Sequence, residues 1–193
     1  MREITINIYT YEDLASNPTM KQILLEKYRD INAGNEWFDE FQIDNTTENL
    51  TALGFFNIKC GYSGFCSQGD GANITASISI EDAAKLFEFN CEFDDDTETI
   101  GIKQHPSRYS HENTLYWDLE TDSESQHFED AQALCDTLLI YMKDQSRQLY
   151  DRLEEDYHYL LSDESIIETL SDLEFTITGE IFNEYKFKEI YPA

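Results

Sequence analysis

The sequence has few basic residues, few prolines and few cysteines, and it has no long apolar run. Only 13 of its 193 residues are lysine or arginine, against 40 aspartates and glutamates, which leaves a formal net charge of −27 at pH 7. Binding to a phosphate backbone needs clustered cationic side chains, so this deficit argues against a direct nucleic-acid binder. It argues equally against attachment to an anionic membrane surface.

The N-terminal residues lack the apolar stretch of a secretory signal. No run approaches the roughly 18 apolar residues that a membrane-spanning helix needs. We therefore expect a cytoplasmic protein. Its four cysteines are scattered without paired spacing, so we expect reduced thiols and no disulfide framework.

Apolar and aromatic residues are plentiful despite the charge. Hydrophobic residues make up 40% of the chain and aromatic residues 13%, including 12 tyrosines and 12 phenylalanines. Disordered acidic chains are usually poor in aromatic residues, because they have too little apolar surface to bury. We therefore expect a folded acidic protein, and its length with no clear linker favours a single domain over residues 1–193.

The hydrophobic pattern changes along the chain between a period of two residues, typical of strands, and a period of three to four, typical of helices. The strongest signal is an uninterrupted helical pattern over 125–161, which contains no proline or glycine and predicts one long amphipathic helix or two nearly collinear ones. The elements predict an α+β fold, a mainly antiparallel sheet with helices on one face and a long C-terminal amphipathic helix. Strands are predicted over 3–9, 55–62, 72–80, 97–104 and 114–120, helices over 12–32 or 18–32, 45–53, 81–89, 125–161 and 166–170, and a last strand or turn over 175–179.

A glycine-rich segment joins the second and third predicted strands. Its three glycines and the step from Asp70 to Gly71 predict a tight connection between antiparallel strands. We call its residues the motif loop: Ser63, Gly64, Phe65, Ser67, Gln68, Gly69, Asp70 and Gly71. Together with Tyr62 and Ala72, the motif loop resembles the signature of a family of small phage and prophage proteins, some of which are labelled antitoxins.

The resemblance extends more weakly to His105–His111 and Glu154–Glu168, and the chain departs from the family pattern at Cys66, Ile74 and Thr75. No catalytic residue is established in that family, so the resemblance assigns none to this chain. The resemblance therefore implies a phage or mobile-element source, acting in a bacterial host cell, more than it implies an activity.

Three interpretations of the motif loop stay open. It is either a structural hairpin whose polar side chains satisfy its own backbone, or a contact surface for a partner in an antitoxin-like regulatory role. In the third interpretation the chain is a small enzyme with a site around Ser63–Gly71, His105 and His111. Cys60 and Cys66 stand too far apart for the usual zinc spacing, so we expect no metal and no cofactor.

The charge is the remaining functional signal, because it far exceeds the magnitude of about 2–8 that solubility requires of a small domain. We predict that the polar face of the long helix binds a basic surface on a host nucleic-acid-binding or defence protein, such as a restriction or CRISPR enzyme, by imitating DNA. The alternative is a solvated acidic face without a partner. The predicted contact residues, which we call the α5 acids, are Glu129, Asp130, Asp136, Asp144, Asp151, Glu154, Glu155 and Asp156.

Overall fold

The computed structural model describes residues 6–34, 38–89, 99–120 and 128–184, and it describes the side chains of 6–34, 38–89, 99–119 and 131–184. The chain forms two compact units, one of residues 1–36 with 156–193 and one of residues 37–155. Two compact units are two domains only if each folds independently, which compactness alone does not establish. The single domain over 1–193 therefore stays a prediction.

The fold is α+β, as predicted. Four antiparallel strands form one sheet in the order β1-β2-β3-β4. Among the described residues, no helix has the length and apolar character to cross a lipid bilayer. The strands are β1 (Phe56–Ser63), β2 (Gly71–Ser79), β3 (Thr99–Gln104) and β4 (Leu115–Glu120), and the helices are α1 (Tyr11–Ala15), α2 (Pro18–Lys27), α3 (Glu40–Ala52), α4 (Ile80–Leu86), α5 (Phe128–Leu160) and α6 (Asp163–Ser171).

The core of the larger unit lies between one face of the sheet and the helices. Alternation along β2 and β3 places Ile74, Ile78 and Ile100 on the same face, and all three are fully buried. Leu138 and Met142 of α5 are fully buried in the same cluster. The helical period of α5 therefore fixes which of its faces covers the sheet and which is left to solvent.

One buried hydroxyl ties α5 to the sheet. Ile74 lies beyond the part of β2 that pairs with β3, which runs from Ala76 to Ser79. Its backbone N–H donates to Ser146 Oγ at 3.0 Å, and that hydroxyl donates to the Met142 carbonyl at 2.7 Å. Ser146 has no exposed surface, so this hydrogen bond satisfies a backbone group that water cannot reach.

We expect Ser146→Ala to lower the free energy of unfolding by about 1–3 kcal/mol, because it leaves the Ile74 N–H buried without an acceptor. Urea denaturation measures the change. The matched control is Thr137→Ala, which removes a hydroxyl bonded to the Ala133 carbonyl on the exposed side of α5 and is expected to change stability by less than about 0.5 kcal/mol. Equal effects of the two substitutions would contradict the role given to Ser146.

The smaller unit differs from the sequence prediction at its start. The strand predicted over 3–9 falls partly outside the described residues, and its described part forms only an isolated bridge between Tyr9 and Phe175. Of the two predicted starts for the helix over 12–32 or 18–32, the second is correct for α2, because Asn17 is extended and Pro18 begins the helix. The short α1 precedes it, and α2 ends at Lys27, earlier than predicted. Phe175 is fully buried in the core of this unit.

The helix predicted over 45–53 begins earlier, at Glu40. The prediction placed its N-cap at Asn45 or Thr46, which have the side chains that caps favour. Thr46 instead lies inside α3, where it is buried and its hydroxyl donates to the Gln42 carbonyl at 2.7 Å. The three consecutive aspartates at 94–96, a run that predicts an exposed turn, lie outside the described residues.

Candidate functional site

A single carboxylate holds the motif loop together. Asp70 Oδ2 accepts hydrogen bonds from the backbone N–H groups of Cys66 at 2.8 Å and Ser67 at 2.6 Å. Gly64 and Gly69 take positive φ angles of 55° and 102°, which glycine adopts most easily. A Cβ at Gly64 would lie 2.9 Å from that same oxygen. These contacts favour the structural interpretation of Asp70 and the loop glycines.

Phe65 anchors the motif loop in an aromatic cluster. Its ring stacks on Tyr62 with centroids 5.5 Å apart and approaches Tyr150 of α5 at 5.6 Å and Phe38 at 6.2 Å. Burial, with a smaller contribution from nearby Asp39, raises the pKa of Tyr62 to about 12. Tyr62 and Phe65 therefore serve packing.

The connection between β3 and β4 covers the base of the motif loop. Ser63 Oγ donates to the Ser110 carbonyl at 3.1 Å. A Cβ at Gly71 would lie 2.8 Å from His111 Cδ2, so glycine at this position permits the ring to approach. Next to it, Glu112 is buried and lies 3.4 Å from Arg147 of α5. The structure thus brings His111 to the motif loop.

The exposed part of the motif loop is its tip. Cys66, Ser67 and Gln68 are exposed, and a Cβ on Gly69 would meet nothing within 4 Å. Any partner of the loop would meet these residues, since the side chains of Phe65 and Asp70 are engaged within the loop and its supports. The antitoxin-like and enzymatic interpretations stay predictions.

The other candidate ligands are not gathered at the motif loop. His105 stacks on Tyr116 of β4 with ring centroids 4.2 Å apart. Cys60 is half-buried on β1 and Cys66 is exposed, whereas Cys91 lies outside the described residues. Within the described ranges, no three histidine, cysteine, aspartate or glutamate side chains are grouped so that they could hold a metal ion.

We expect the described cysteines to differ sharply in reactivity. Cys135 on α5 has no exposed surface, and its burial raises the pKa of its thiol to about 12. Because thiolate is the reactive species, Cys135 stays protonated and unlabelled by iodoacetamide as the pH rises from neutral to about 9, while exposed Cys66 reacts. Peptide mass spectrometry measures the labelling, with guanidinium-unfolded protein as the control. Labelling of Cys135 in native protein at the rate of Cys66 would contradict this burial.

The α5 acids do not share one environment. Asp136, Asp144, Asp151 and Glu155 are exposed, whereas Glu154 and Asp156 are half-buried and the side chains of Glu129 and Asp130 lie outside the described residues. Asp136 accepts a hydrogen bond from Trp117 Nε1 of β4 at 2.8 Å, which gives it a structural role as well. We call Asp144, Asp151 and Glu155 the exposed α5 acids, since spacings of seven and four place them on one side of the helix.

Other side chains interrupt the acidic face of α5. Ile140, Lys143 and Arg147 lie between Asp136 and Asp151 at helical spacing, and Ile140 is 69% exposed. Asp144 also accepts a hydrogen bond from Gln148 Nε2 at 2.7 Å. The N-terminal half of the described polar face is therefore of mixed charge, and the acidic character is concentrated in the half that follows Arg147.

A second row of carboxylates, which was not among the predicted contact residues, lies on α3. Glu40, Asp44 and Glu48 are all exposed and follow one another at intervals of four residues. We call them the α3 acid row. The two helices are neighbours, because Arg152 of α5 donates from Nη2 to Thr46 Oγ1 of α3 at 3.0 Å. The interval of four was visible in the sequence, but it has meaning only once the helix is known to begin at Glu40.

The larger unit is covered by a match to a known protein family. A model of a protein family of unknown function matches residues 37–163. This segment begins where the larger unit begins and extends past its end into α6. It therefore contains the sheet, the motif loop, the α3 acid row and all the α5 acids. No curated protein and no solved structure matches the chain.

Proposed function

The chain belongs to the family described as domain of unknown function DUF8835, and we propose that it is a non-enzymatic binding protein of a phage or mobile element. It occupies the basic nucleic-acid-binding surface of a host defence protein, a restriction or CRISPR enzyme, and blocks access of DNA. The observation that carries the proposal is the pair of acidic rows on two neighbouring helices of the larger unit.

The spacing of these carboxylates supports contact with a surface built for a phosphate backbone. Four residues of α-helix rise about 6 Å, so neighbours in the α3 acid row stand about 6 Å apart along the axis. One strand of DNA carries a charge for every roughly 3.4 Å of axis. The α3 acid row thus has somewhat more than half the linear charge density of a DNA strand. The exposed α5 acids, at intervals of seven and four residues, have about two fifths of that density, and the two rows together come near it.

Exposure and attachment of these carboxylates also support the proposal. The α3 acid row and the exposed α5 acids have no ion pair to a described lysine or arginine. They stand on helices whose opposite faces are fixed in the core by Leu50 and Leu149. A rigidly held row of uncompensated charge steers a complementary partner and sets its register.

The proposal is tested by inhibition of DNA cleavage. Purified restriction endonucleases and CRISPR nucleases are assayed on their DNA substrates with increasing amounts of this protein, at about 50 mM and about 200 mM salt. We expect stoichiometric inhibition of a member of the panel, with at least about tenfold weaker inhibition at the higher salt concentration, because salt screens charge pairs at a surface.

The control separates specific blocking from charge alone. Polyglutamate of similar total charge is added to the same assays. Inhibition by polyglutamate at equal charge, or inhibition by the protein that does not change with salt, would contradict occupation of a DNA-binding surface by ordered carboxylates.

A further inference from the structure

One groove in the larger unit has a charge opposite to that of the molecule. Its volume is about 510 Å³, it is open to solvent, and it lies between α5 and the end of α4. The side chains of Phe87, Ile140 and Tyr141 supply its apolar lining, and Lys143, Asp144 and Arg147 supply its charged lining. We call it the cationic groove, since two of its three charged side chains are cations in a chain of net charge −27.

The apolar side of the cationic groove is open to solvent. Ile140 is 69% exposed, more than any other described large aliphatic residue of α5. Beside it, Tyr141 is half-buried and packs edge-on against Phe87 at 5.6 Å. An exposed isoleucine next to aromatic rings offers a seat for an aliphatic or aromatic side chain of a partner.

The cations of the groove are available to a partner. No ion pair joins Lys143 to a carboxylate in the described part of the chain. Arg147 lies 3.4 Å from Glu112, and 60% of its side chain remains exposed. In a protein with 40 acids, Lys143 without a described ion pair and the exposed part of Arg147 favour an anionic ligand beside the apolar lining by charge complementarity.

We infer that the cationic groove binds an acidic peptide segment of a partner protein. An aliphatic or aromatic side chain of the peptide packs on Ile140 and Tyr141, and its carboxylates pair with Lys143 and Arg147. The groove is open along the helix surface, which suits an extended or helical peptide. The groove shares Asp144 with the exposed α5 acids, but its ligand has the opposite charge to that of the proposed function, so failure of one can be told from failure of the other.

The test is a fluorescence-anisotropy titration of the whole protein with a fluorescein-labelled peptide of alternating glutamate and phenylalanine. We expect saturable binding that Lys143→Glu and Ile140→Ser each weaken about tenfold or more. Both side chains are at least partly exposed, so circular dichroism should show unchanged folding. The matched control is Lys59→Glu, an exposed cation on β1, which should leave the affinity unchanged.

The salt dependence of the binding affinity distinguishes this site from the acidic rows. Long-range repulsion between a −27 chain and an acidic peptide is screened as salt rises, so the affinity should hold or increase between about 50 mM and about 200 mM salt. A basic partner should show the reverse trend. Absence of saturable binding would overturn the inference, and so would equal binding of a peptide with glutamine in place of glutamate. Equal loss of affinity in Lys143→Glu and Lys59→Glu would also contradict it. A dimer of this chain that Ile140→Ser dissociates would show that the groove binds a second copy instead.

Discussion

Neutralising the α3 acid row in the triple variant Glu40→Gln/Asp44→Asn/Glu48→Gln weakens inhibition of the target nuclease by about tenfold to a hundredfold at low salt. Each exposed charge pair contributes up to about 1 kcal/mol, and three pairs lost together give this range. The substitutions keep side-chain shape and remove only charge. Since they also relieve repulsion between like charges, they should not lower the stability of the fold, and urea denaturation checks this.

A variant with the same change in net charge provides the control. Glu26, Asp172 and Glu174 are exposed acids of the smaller unit, and the variant Glu26→Gln/Asp172→Asn/Glu174→Gln also removes three charges. Inhibition constants for the two triple variants are compared at the same salt concentration. If both lose the same activity, net charge alone is responsible and the α3 acid row is not a contact surface.

Asp70→Ala destabilises the fold by about 1–3 kcal/mol, because two backbone N–H groups lose a charged acceptor at 2.8 and 2.6 Å. The motif loop then loses the contact that fixes its turn beside Gly64. Asp70→Asn should lose less, since its amide oxygen can still accept. Urea denaturation with an unchanged m-value measures the difference.

Gln68→Ala distinguishes a structural loop from a contact loop. Gln68 is exposed at the tip, so its truncation should change neither stability nor inhibition. The antitoxin-like interpretation expects the opposite pattern, in which Gln68→Ala or Asp70→Ala abolishes partner binding while the α3 acid row can be neutralised freely. That pattern would transfer the binding function from the acidic helices to the motif loop.

The sequence predicted the elements whose signal is local and periodic. β2, β3, β4 and α5 lie within a few residues of their predicted bounds, because alternation or helical spacing is sustained over each of them. The start of α3 was predicted too late, because threonine is a residue type that helix N-caps favour and Thr46 was taken for the cap. Its hydroxyl instead bonds to Gln42 and Arg152, and the contact with Arg152 of α5 is a tertiary contact that the sequence does not show. The start of α2 at Pro18 was one of the two predicted starts, but the helix ends at Lys27 and not at residue 32, because apolar spacing alone does not show where a helix ends.

Much of the candidate site depended on contacts that no single-sequence pattern carries. The sequence predicted that acids would project from α5, but it did not reveal that Trp117 holds Asp136 or that Ile140 and Lys143 open a groove in the same face. The role of Asp70 was among the open interpretations, and only the position of its carboxylate against two backbone N–H groups favours one of them.

The most direct measurement of the central claim is competition with DNA. The complex of this protein with the nuclease it inhibits is titrated with a duplex that the nuclease binds, under conditions without cleavage, and the bound fraction of the protein is followed. We expect DNA and this protein to exclude each other from the nuclease. The apparent affinity of this protein for the nuclease should fall in proportion to the DNA added and recover when the duplex is removed. A stable ternary complex of nuclease, DNA and this protein would contradict it.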